Sequence, residues 1–520
     1  MDKLIPRMAM RNPEKIGVFA FLGLLICACS TPPSDPTRGS IQRGVIETVL
    51  ENIHKRYATA LPISEISIAG LKGLSGTDDL LLIKEEKDII MLFYKDRVLQ
   101  RWQKPQTNDY KLWAHLTSDA LTLAQAESHK VRDTNEEHIL KRFFEAGFEN
   151  LDRYTRYHGP DQTRNTRARR EGFGGLGITI HQKQGETFVS EIYEGTPAFK
   201  QGLMAGDRIT HVGGELLTGL PQKAVIRKLR GPVHSRAKLT IIRGTRLPPL
   251  EVTMIRAHII IPTVKSTLEG RILNIKVSGF NQGTSRSLGK VLSGSERNTE
   301  TIKGIILDLR GNPGGLLEQA IAIADYFLND GRIISTEGRT KHANQIFDAS
   351  LGDRAHGVPI VILVNGLSAS ASEIVAAALR DRGRAVIVGS SSYGKGSVQT
   401  IIRLPNQGEL TLTWAHMIAP SGLNLEGYGV IPKVCTSGQK PHRGTMMSAS
   451  RNGVNHNDYM PKFLLGSLYA VSTYPAMARK YCPPSNLERL EDIEIARYLL
   501  NHKKIYFQAL NNGASAIAER

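Results

Sequence analysis

The apolar positions change their period along the chain, and each change marks a segment. Residues 16–27 form an almost unbroken apolar run, too short to cross a bilayer as a helix. Ile41, Val45, Ile46, Val49, Leu50 and Ile53 then recur at helical spacing, which predicts a helix closing near Arg56-Tyr57-Ala58 and Pro62. Residues 88–102 mix β-branched and aromatic side chains and predict a strand or two; residues 136–148 predict a second helix. Residues 40–171 thus read as a mixed α/β N-terminal domain. From 172 to 256 short alternating strands are separated by glycine turns, with one short helix after the turn at 194–198 and another at 224–229. From 257 to 435 apolar strands alternate with helices: strands at 272–277, 302–309, 358–364 and 385–388, helices at 284–292, 316–328 and 371–380. Continuous apolar runs of that length predict strands buried on both faces, and the alternation predicts an α/β core. A hairpin of 398–404 and 410–418 turns at Asn406-Gln407-Gly408. Residues 436–520 read as a polar linker followed by a helix at 490–510, with Ile493, Ala496, Leu499 and Leu500 on one face.

The ends of the chain add a location. Residues 1–15 carry four positive and two negative side chains ahead of the apolar run, the pattern of a signal peptide over 1–28. Ile26-Cys27-Ala28-Cys29 resembles the bacterial lipoprotein cleavage box, so Cys29 is expected to carry lipid, and the Pro- and Ser-rich residues 29–39 to act as an extended tether. The expectation is a periplasmic or cell-envelope protein anchored to a membrane. Cleavage before Cys29 would leave Cys435 and Cys482, which either pair in an oxidising compartment or stay as two buried thiols. The formal net charge of +18 comes with no nucleic-acid-binding fingerprint, so nucleic acid is not an expected partner.

The candidate chemistry lies in two loops. Ser368-Ala369-Ser370-Ala371-Ser372-Glu373 follows a buried strand and opens a helix, a geometry that exposes a nucleophile near helix N–H groups. Ser370-Ala371-Ser372-Glu373 also has the form of a capping box, and Ser368 and Ser372 are equally nucleophilic by composition. Downstream, Gly394 and Gly396 flank Lys395. An ordinary lysine, with a pKa of about 10.4, cannot accept a proton near neutrality, but burial lowers it by up to about 3–5 units. Gln399 could hydrogen-bond the neutral amine. Serine with lysine is a known solution to peptide hydrolysis without histidine.

Several motifs in one order carry a resemblance. They are Leu151-Asp152-Arg153-Tyr154-Thr155-Arg156-Tyr157, Leu307-Asp308-Leu309-Arg310-Gly311-Asn312-Pro313-Gly314-Gly315, the two loops above, Pro420-Ser421-Gly422 and Gly427-Tyr428-Gly429-Val430-Ile431-Pro432. Together they resemble the carboxyl-terminal processing (tail-specific) protease family. Residues 172–256, with Gly202-Leu203 and Gly206-Asp207-Arg208-Ile209, resemble a PDZ domain. The resemblance implies a crotonase-like protease core with an inserted PDZ domain, a serine endopeptidase with the triad Ser370, Lys395 and Gln399, and an oxyanion hole from Gly315 and Ala371, Gly314 being a weaker candidate. It implies that Gly174, Gly175, Leu176, Gly177 and Ile178 take the C-terminus of a peptide, and that the partners are proteins with unstructured apolar tails. No metal or organic cofactor is implied. An activator or adaptor protein and a homo-oligomer are left open. The rival functions are a catalytically silent PDZ scaffold at the envelope and, from the crotonase analogy, an enzyme of acyl-coenzyme A.

Overall fold

The computed structural model describes residues 36–244, 248–296, 302–350, 352–437, 479–480 and 482–511. The expected signal peptide, Cys29 and most of the polar stretch at 436–458 lie outside the described residues. The expected tether ends early, because a helix already begins at Pro36 and runs to Arg56. Among the described residues no helix is long and apolar enough to cross a membrane.

The N-terminal domain packs helices Pro36–Arg56, Ile63–Lys72, Tyr110–Glu127 and Glu136–Gly147 beside an antiparallel sheet of three strands, Leu81–Glu86, Ile89–Tyr94 and Arg97–Gln103. Val45, Ile46, Val49, Leu50 and Ile53 meet Trp113, Phe143 and Phe144 in its core. The same core takes in Tyr157, near the end of the domain, and Leu404, Leu410 and Leu412 from beyond it. The segment 152–157 is therefore fixed on both sides, and it reaches the candidate site.

The inserted module has an antiparallel sheet in the order Leu250–Ile255, Arg236–Ile242, Arg208–Val212, Glu186–Ile192, Ile178–Lys183, with helix Gln222–Leu229 beside it. Ile178–Lys183 is an edge strand. Leu176, Val189, Ile209, Val225, Leu239 and Ile241 form a separate small core.

The core sheet runs Val264–Glu269, Ile272–Val277, Gly304–Asp308, Ile360–Val364, Ala385–Gly389, Val434–Cys435, parallel from the second strand onward. Successive residues of its strands face opposite sides. Ile305, Leu307, Ile360, Ile362 and Ile387 pack under helices Thr284–Glu296, Leu317–Asp325 and Ala371–Asp381. Ile306, Val361, Leu363, Val386 and Val388 pack against Ala496, Leu499, Leu500 and Tyr506. The continuous apolar runs are explained: both faces are covered, the second by Leu490–Asn501 and Lys503–Asn511, which replace the single helix expected over 490–510. Arg310 ties this end of the chain to the core, bonding Asp308 (2.9 and 2.8 Å), Asp492 (3.0 Å) and the carbonyl of Arg489 (2.7 Å). A second sheet holds the hairpin Ser397–Arg403 and Glu409–Ile418, with Arg332–Glu337, Gln345–Asp348 and Arg156–His158. Cys435 and Cys482 are joined by a disulfide, with Cα atoms 5.8 Å apart.

Candidate active site

The three serines of the turn before helix Ala371–Asp381 are told apart by their bonds. Ser368 is fully buried; its hydroxyl donates to the carbonyl of Leu309 (2.8 Å) and accepts from the N–H of Asn365 (2.9 Å). The buried Ser372 hydroxyl donates to the carbonyl of Asn312 (2.9 Å). Both are spent on holding the turn. Ser370 stands apart by its backbone. The capping box does form, but a capping serine ordinarily sits in the β region, whereas Ser370 has φ 55° and ψ −113°. A non-glycine residue there is strained, and the helix pins it in a position that a cap alone does not require.

Glu373 does the pinning. It is fully buried one turn into the helix, and its carboxylate gathers four donors. One oxygen accepts from the N–H of Ser370 (2.7 Å) and the N–H of Lys395 (2.9 Å). The other accepts from the N–H of Gly394 (2.6 Å) and the hydroxyl of Ser392 (2.5 Å). The amide nitrogens of Ser370 and Lys395 thus share one oxygen atom and cannot be further apart than those two bonds reach. Burial pushes the Glu373 carboxyl above its ordinary range, and the four donors pull against that.

The Lys395 side chain is half-buried. Its Nζ lies over the ring of Tyr154, 4.9 Å from the centroid. Burial holds its amine below the usual lysine range; the charge of Arg156 pushes the same way, while Glu426, Asp152 and Glu373 oppose it. Tyr154 is itself buried and its hydroxyl is pushed up to about 12, so it is a neutral wall. Among the described residues no hydrogen bond joins the amine to Ser370 or Gln399. Gln399 is held by other partners. Its amide nitrogen donates to the hydroxyls of Ser397 (3.0 Å) and Thr413 (3.1 Å), and Thr413 donates on to Asp152 (2.9 Å). With both donors spent, only the Gln399 carbonyl oxygen is left to accept from an amine. A register shift between Val398 and Gln399 aims this side chain.

The turn Asn312-Pro313-Gly314-Gly315 packs directly against the serine. A Cβ at Gly314 would lie 2.9 Å from that of Ser370 and 3.0 Å from the N–H nitrogen of Ala371, and Gly314 has φ +97°, so both space and backbone demand glycine. The N–H of Gly314 is taken by the Asn312 side chain (2.9 Å), which also anchors to the carbonyl of Val277 (2.7 Å). The carbonyl of Asn312 accepts from Ala369 (3.0 Å). Gly314 is thereby removed as an oxyanion donor. The N–H groups of Gly315 and Ala371 make none of the turn or loop hydrogen bonds recorded among the described residues. Two unspent N–H groups beside a strained serine are an arrangement that can stabilise a tetrahedral oxyanion.

Comparison with known proteins agrees with this geometry. The model of "Peptidase family S41" matches residues 271–436, and that of "PDZ domain" matches residues 165–242. The chain is 40% identical over 296 residues to the "Carboxy-terminal-processing protease" of Bartonella bacilliformis, covering 56% of this chain and 68% of that protein. The chain belongs to peptidase family S41. It is therefore a serine-type peptidase with a PDZ domain, and the scaffold and acyl-coenzyme A readings fall away. This S41 chain is also 31% identical over 286 residues to a "Probable CtpA-like serine protease" of Staphylococcus aureus, covering 54% of this chain but only 57% of that one. The photosystem II D1 C-terminal processing protease structure overlaps 76% of the chain and 92% of its own length, at 21% identity and a TM-score of 0.38, and adds nothing to the assignment.

The PDZ loop of the S41 chain corrects one expectation. Phe173–Gly175 pairs with Ala257–Ile259, and the carbonyl of Gly174 accepts from the N–H of Gly231 (3.1 Å), which ties down the start of the loop. Leu176 is 2% exposed and belongs to the domain core, so it does not line an open pocket. Ile178 is half-buried and paired with Ile192. The N–H groups of Leu176 and Gly177 are the loop donors outside any ladder and outside the recorded loop bonds. Beside them the free edge of Ile178–Lys183 faces helix Gln222–Leu229, where Gln222 donates to the carbonyl of Ile180 (3.3 Å).

Glu373, Asn312, Tyr154 and Thr413 had appeared only as a cap, as parts of motifs or not at all. Glu373 did leave a trace: an acid set in the Ala-rich run 371–379, every residue of which is buried.

Proposed function

We propose that this S41 peptidase cuts proteins near their C-termini, with Ser370 as nucleophile, Lys395 as general base and acid, and Gln399 orienting the lysine. The observation that carries the reading is the shared carboxylate oxygen of Glu373, which fixes the backbones of Ser370 and Lys395 side by side. With the main chains fixed, rotation of the lysine side chain off Tyr154 is the motion needed to bring its amine to the serine. The neutral amine accepts a hydrogen bond from the serine and donates one to the Gln399 carbonyl oxygen. It takes the hydroxyl proton as Oγ bonds the scissile carbonyl carbon. The oxyanion is held by the N–H groups of Gly315 and Ala371. Lys395 then protonates the leaving amine as the C–N bond breaks. Water, giving a proton to Lys395, hydrolyses the acyl-enzyme and restores Ser370.

The PDZ domain supplies the tail. A terminal carboxylate fits the N–H groups of Leu176 and Gly177, and the preceding residues add as a strand to the Ile178–Lys183 edge once Gln222 yields the carbonyl of Ile180. An unfolded reporter with an apolar C-terminal residue is expected to be cut with a kcat/KM roughly tenfold or more above the same reporter with an aspartate tail or an amidated C-terminus, since a charge-assisted contact is lost in each. Equal cleavage of all three would end tail capture.

The place of action is the cell envelope, by a lipid on Cys29. The sequence at 16–29 supports it, and a Cys435–Cys482 disulfide is at home in an oxidising compartment. Cells fed an alkyne fatty acid should label the wild-type chain and not Cys29→Ser; an unlabelled wild type would remove the anchor.

A further inference from the structure

The loop that carries Lys395 is held from two sides. Glu373 is one holder. The other comes from far down the chain. Arg479 donates through Nη1 to the carbonyls of Ser392 (2.7 Å) and Tyr428 (2.8 Å), and through Nη2 to that of Tyr393 (3.0 Å). Those carbonyls belong to two loops that meet beside the lysine, where the N–H of Gly427 donates to the carbonyl of Gly394 (2.9 Å). The segment that follows Arg479 continues the hold. The hydroxyl of Ser391 donates to the carbonyl of Cys482 (2.5 Å), and the N–H of Ser485 donates to the hydroxyl of Ser390 (3.0 Å). On the serine side, Gly366 donates to the carbonyl of Ser485 (2.7 Å). The disulfide to Cys435 fastens this strap to the last strand of the core sheet.

The serine run 390–392 thereby gains a meaning. Ser390 and Ser391 bond the strap, and Ser392 bonds Glu373. The backbone at 392–395 is clamped between a buried carboxylate and a guanidinium. Arg479 has no ion pair among the described residues; three of its five N–H donors go to carbonyls, a use that its planar fork suits and a lysine cannot fully reproduce. It lies beyond residues 271–436, where the family model matches, so membership of the family assigns it nothing.

We propose that Arg479 is a positioning residue for Lys395: by fixing the backbone of Ser392, Tyr393 and Tyr428 it keeps the lysine in a dry pocket beside the serine turn. The proposal rests on Ser370 and Lys395 being nucleophile and base. Without the clamp the loop slackens and water enters, which favours the ammonium. The groups that face the amine are Asp152, Arg153, Tyr154 and Arg156 from the N-terminal side, Glu373 from the helix, and Glu426 from the neighbouring loop. Arg479 adds its own charge near Glu373, which Arg479→Ala removes and Arg479→Lys keeps, so the two variants separate loss of charge from loss of the clamp.

The test compares full-length wild type with Arg479→Ala, Arg479→Lys and Ser370→Ala, using a peptide substrate and a serine-acylating fluorophosphonate across pH, with melting temperatures alongside. Arg479→Ala should lower kcat and the acylation rate by about 10- to 100-fold, the scale of a slightly misplaced catalytic group, with KM within about twofold. Its acid limb should move to higher pH, and Arg479→Lys should recover part of both. Wild-type kcat and an unmoved acid limb in a folded Arg479→Ala would overturn the proposal. If that variant fails to fold, Arg479→Lys decides: a moved limb supports the clamp, and a wild-type profile overturns it. Persistent hydrolysis by Ser370→Ala would instead overturn the reading beneath it.

Discussion

Ser370→Ala should abolish peptide hydrolysis, with a fall in kcat on the order of 10⁵-fold or more, while binding of an apolar tail by the PDZ domain stays unchanged. Loss of a nucleophile from a hydroxyl–base unit has effects of this size, because the remaining members have nothing to activate. Single-turnover kinetics with the variant and a binding isotherm for a tail peptide read the two halves separately. A Ser370→Ala enzyme with more than about one-hundredth of the wild-type rate would mean that the strained turn is only a cap, and Ser370 would leave the mechanism. The pH dependence of the wild type carries the matching sign for Lys395. The base acts when neutral, so kcat/KM rises with pH through the lysine's pKa. Burial and the charge of Arg156 lower that pKa. The acid limb should therefore have its midpoint below the ordinary lysine value of about 10.4. A limb at the ordinary value would mean a hydrated lysine and remove it as the base.

Glu373→Gln should be nearly as damaging, although Glu373 is placed to touch no substrate. An amide offers one accepting oxygen where the carboxylate offers two, and its NH₂ would confront either the N–H pair of Ser370 and Lys395 or the Gly394 and Ser392 donors. Two buried donors would be left without acceptors, at roughly 1–3 kcal/mol each, so a stability loss of about 3 kcal/mol is expected. Activity should fall by about 10²-fold even in the folded fraction, because serine and lysine would lose their common tether. Denaturant unfolding and the kcat of the folded enzyme check both. Wild-type stability with wild-type kcat would show that Ser370 and Lys395 are placed by other contacts.

The residues legible in the sequence were those whose geometry is local. Ser370 on a strand–turn–helix, Gly315 in a glycine turn and Lys395 between glycines each announce themselves within a few positions. What could not be read was joined across the chain. The four donors to Glu373 come from residues 370 and 392–395, and nothing in the helix sequence names them. Gln399 was singled out as a partner for the lysine, but its direction is set by Thr413 and a bulge in the hairpin. The helix Ile63–Lys72 was missed because Ile63, Glu65, Ile66, Ser67 and Ile68 blend an alternating with a helical period. The pairing of Gly174 and Gly175 with Ala257–Ile259 could not be read, because that strand lies more than eighty residues away.

The terminal helices Leu490–Asn501 and Lys503–Asn511 cover one face of the sheet that carries the serine turn, and they are made after everything they cover. A nascent chain that has emerged only as far as residue 489 already holds Ser370, Lys395 and the glycine turn. Ile306, Val361, Leu363, Val386 and Val388 would still lie open to water on that side. That face of the central sheet is closed only once the two helices have been made and have packed onto it.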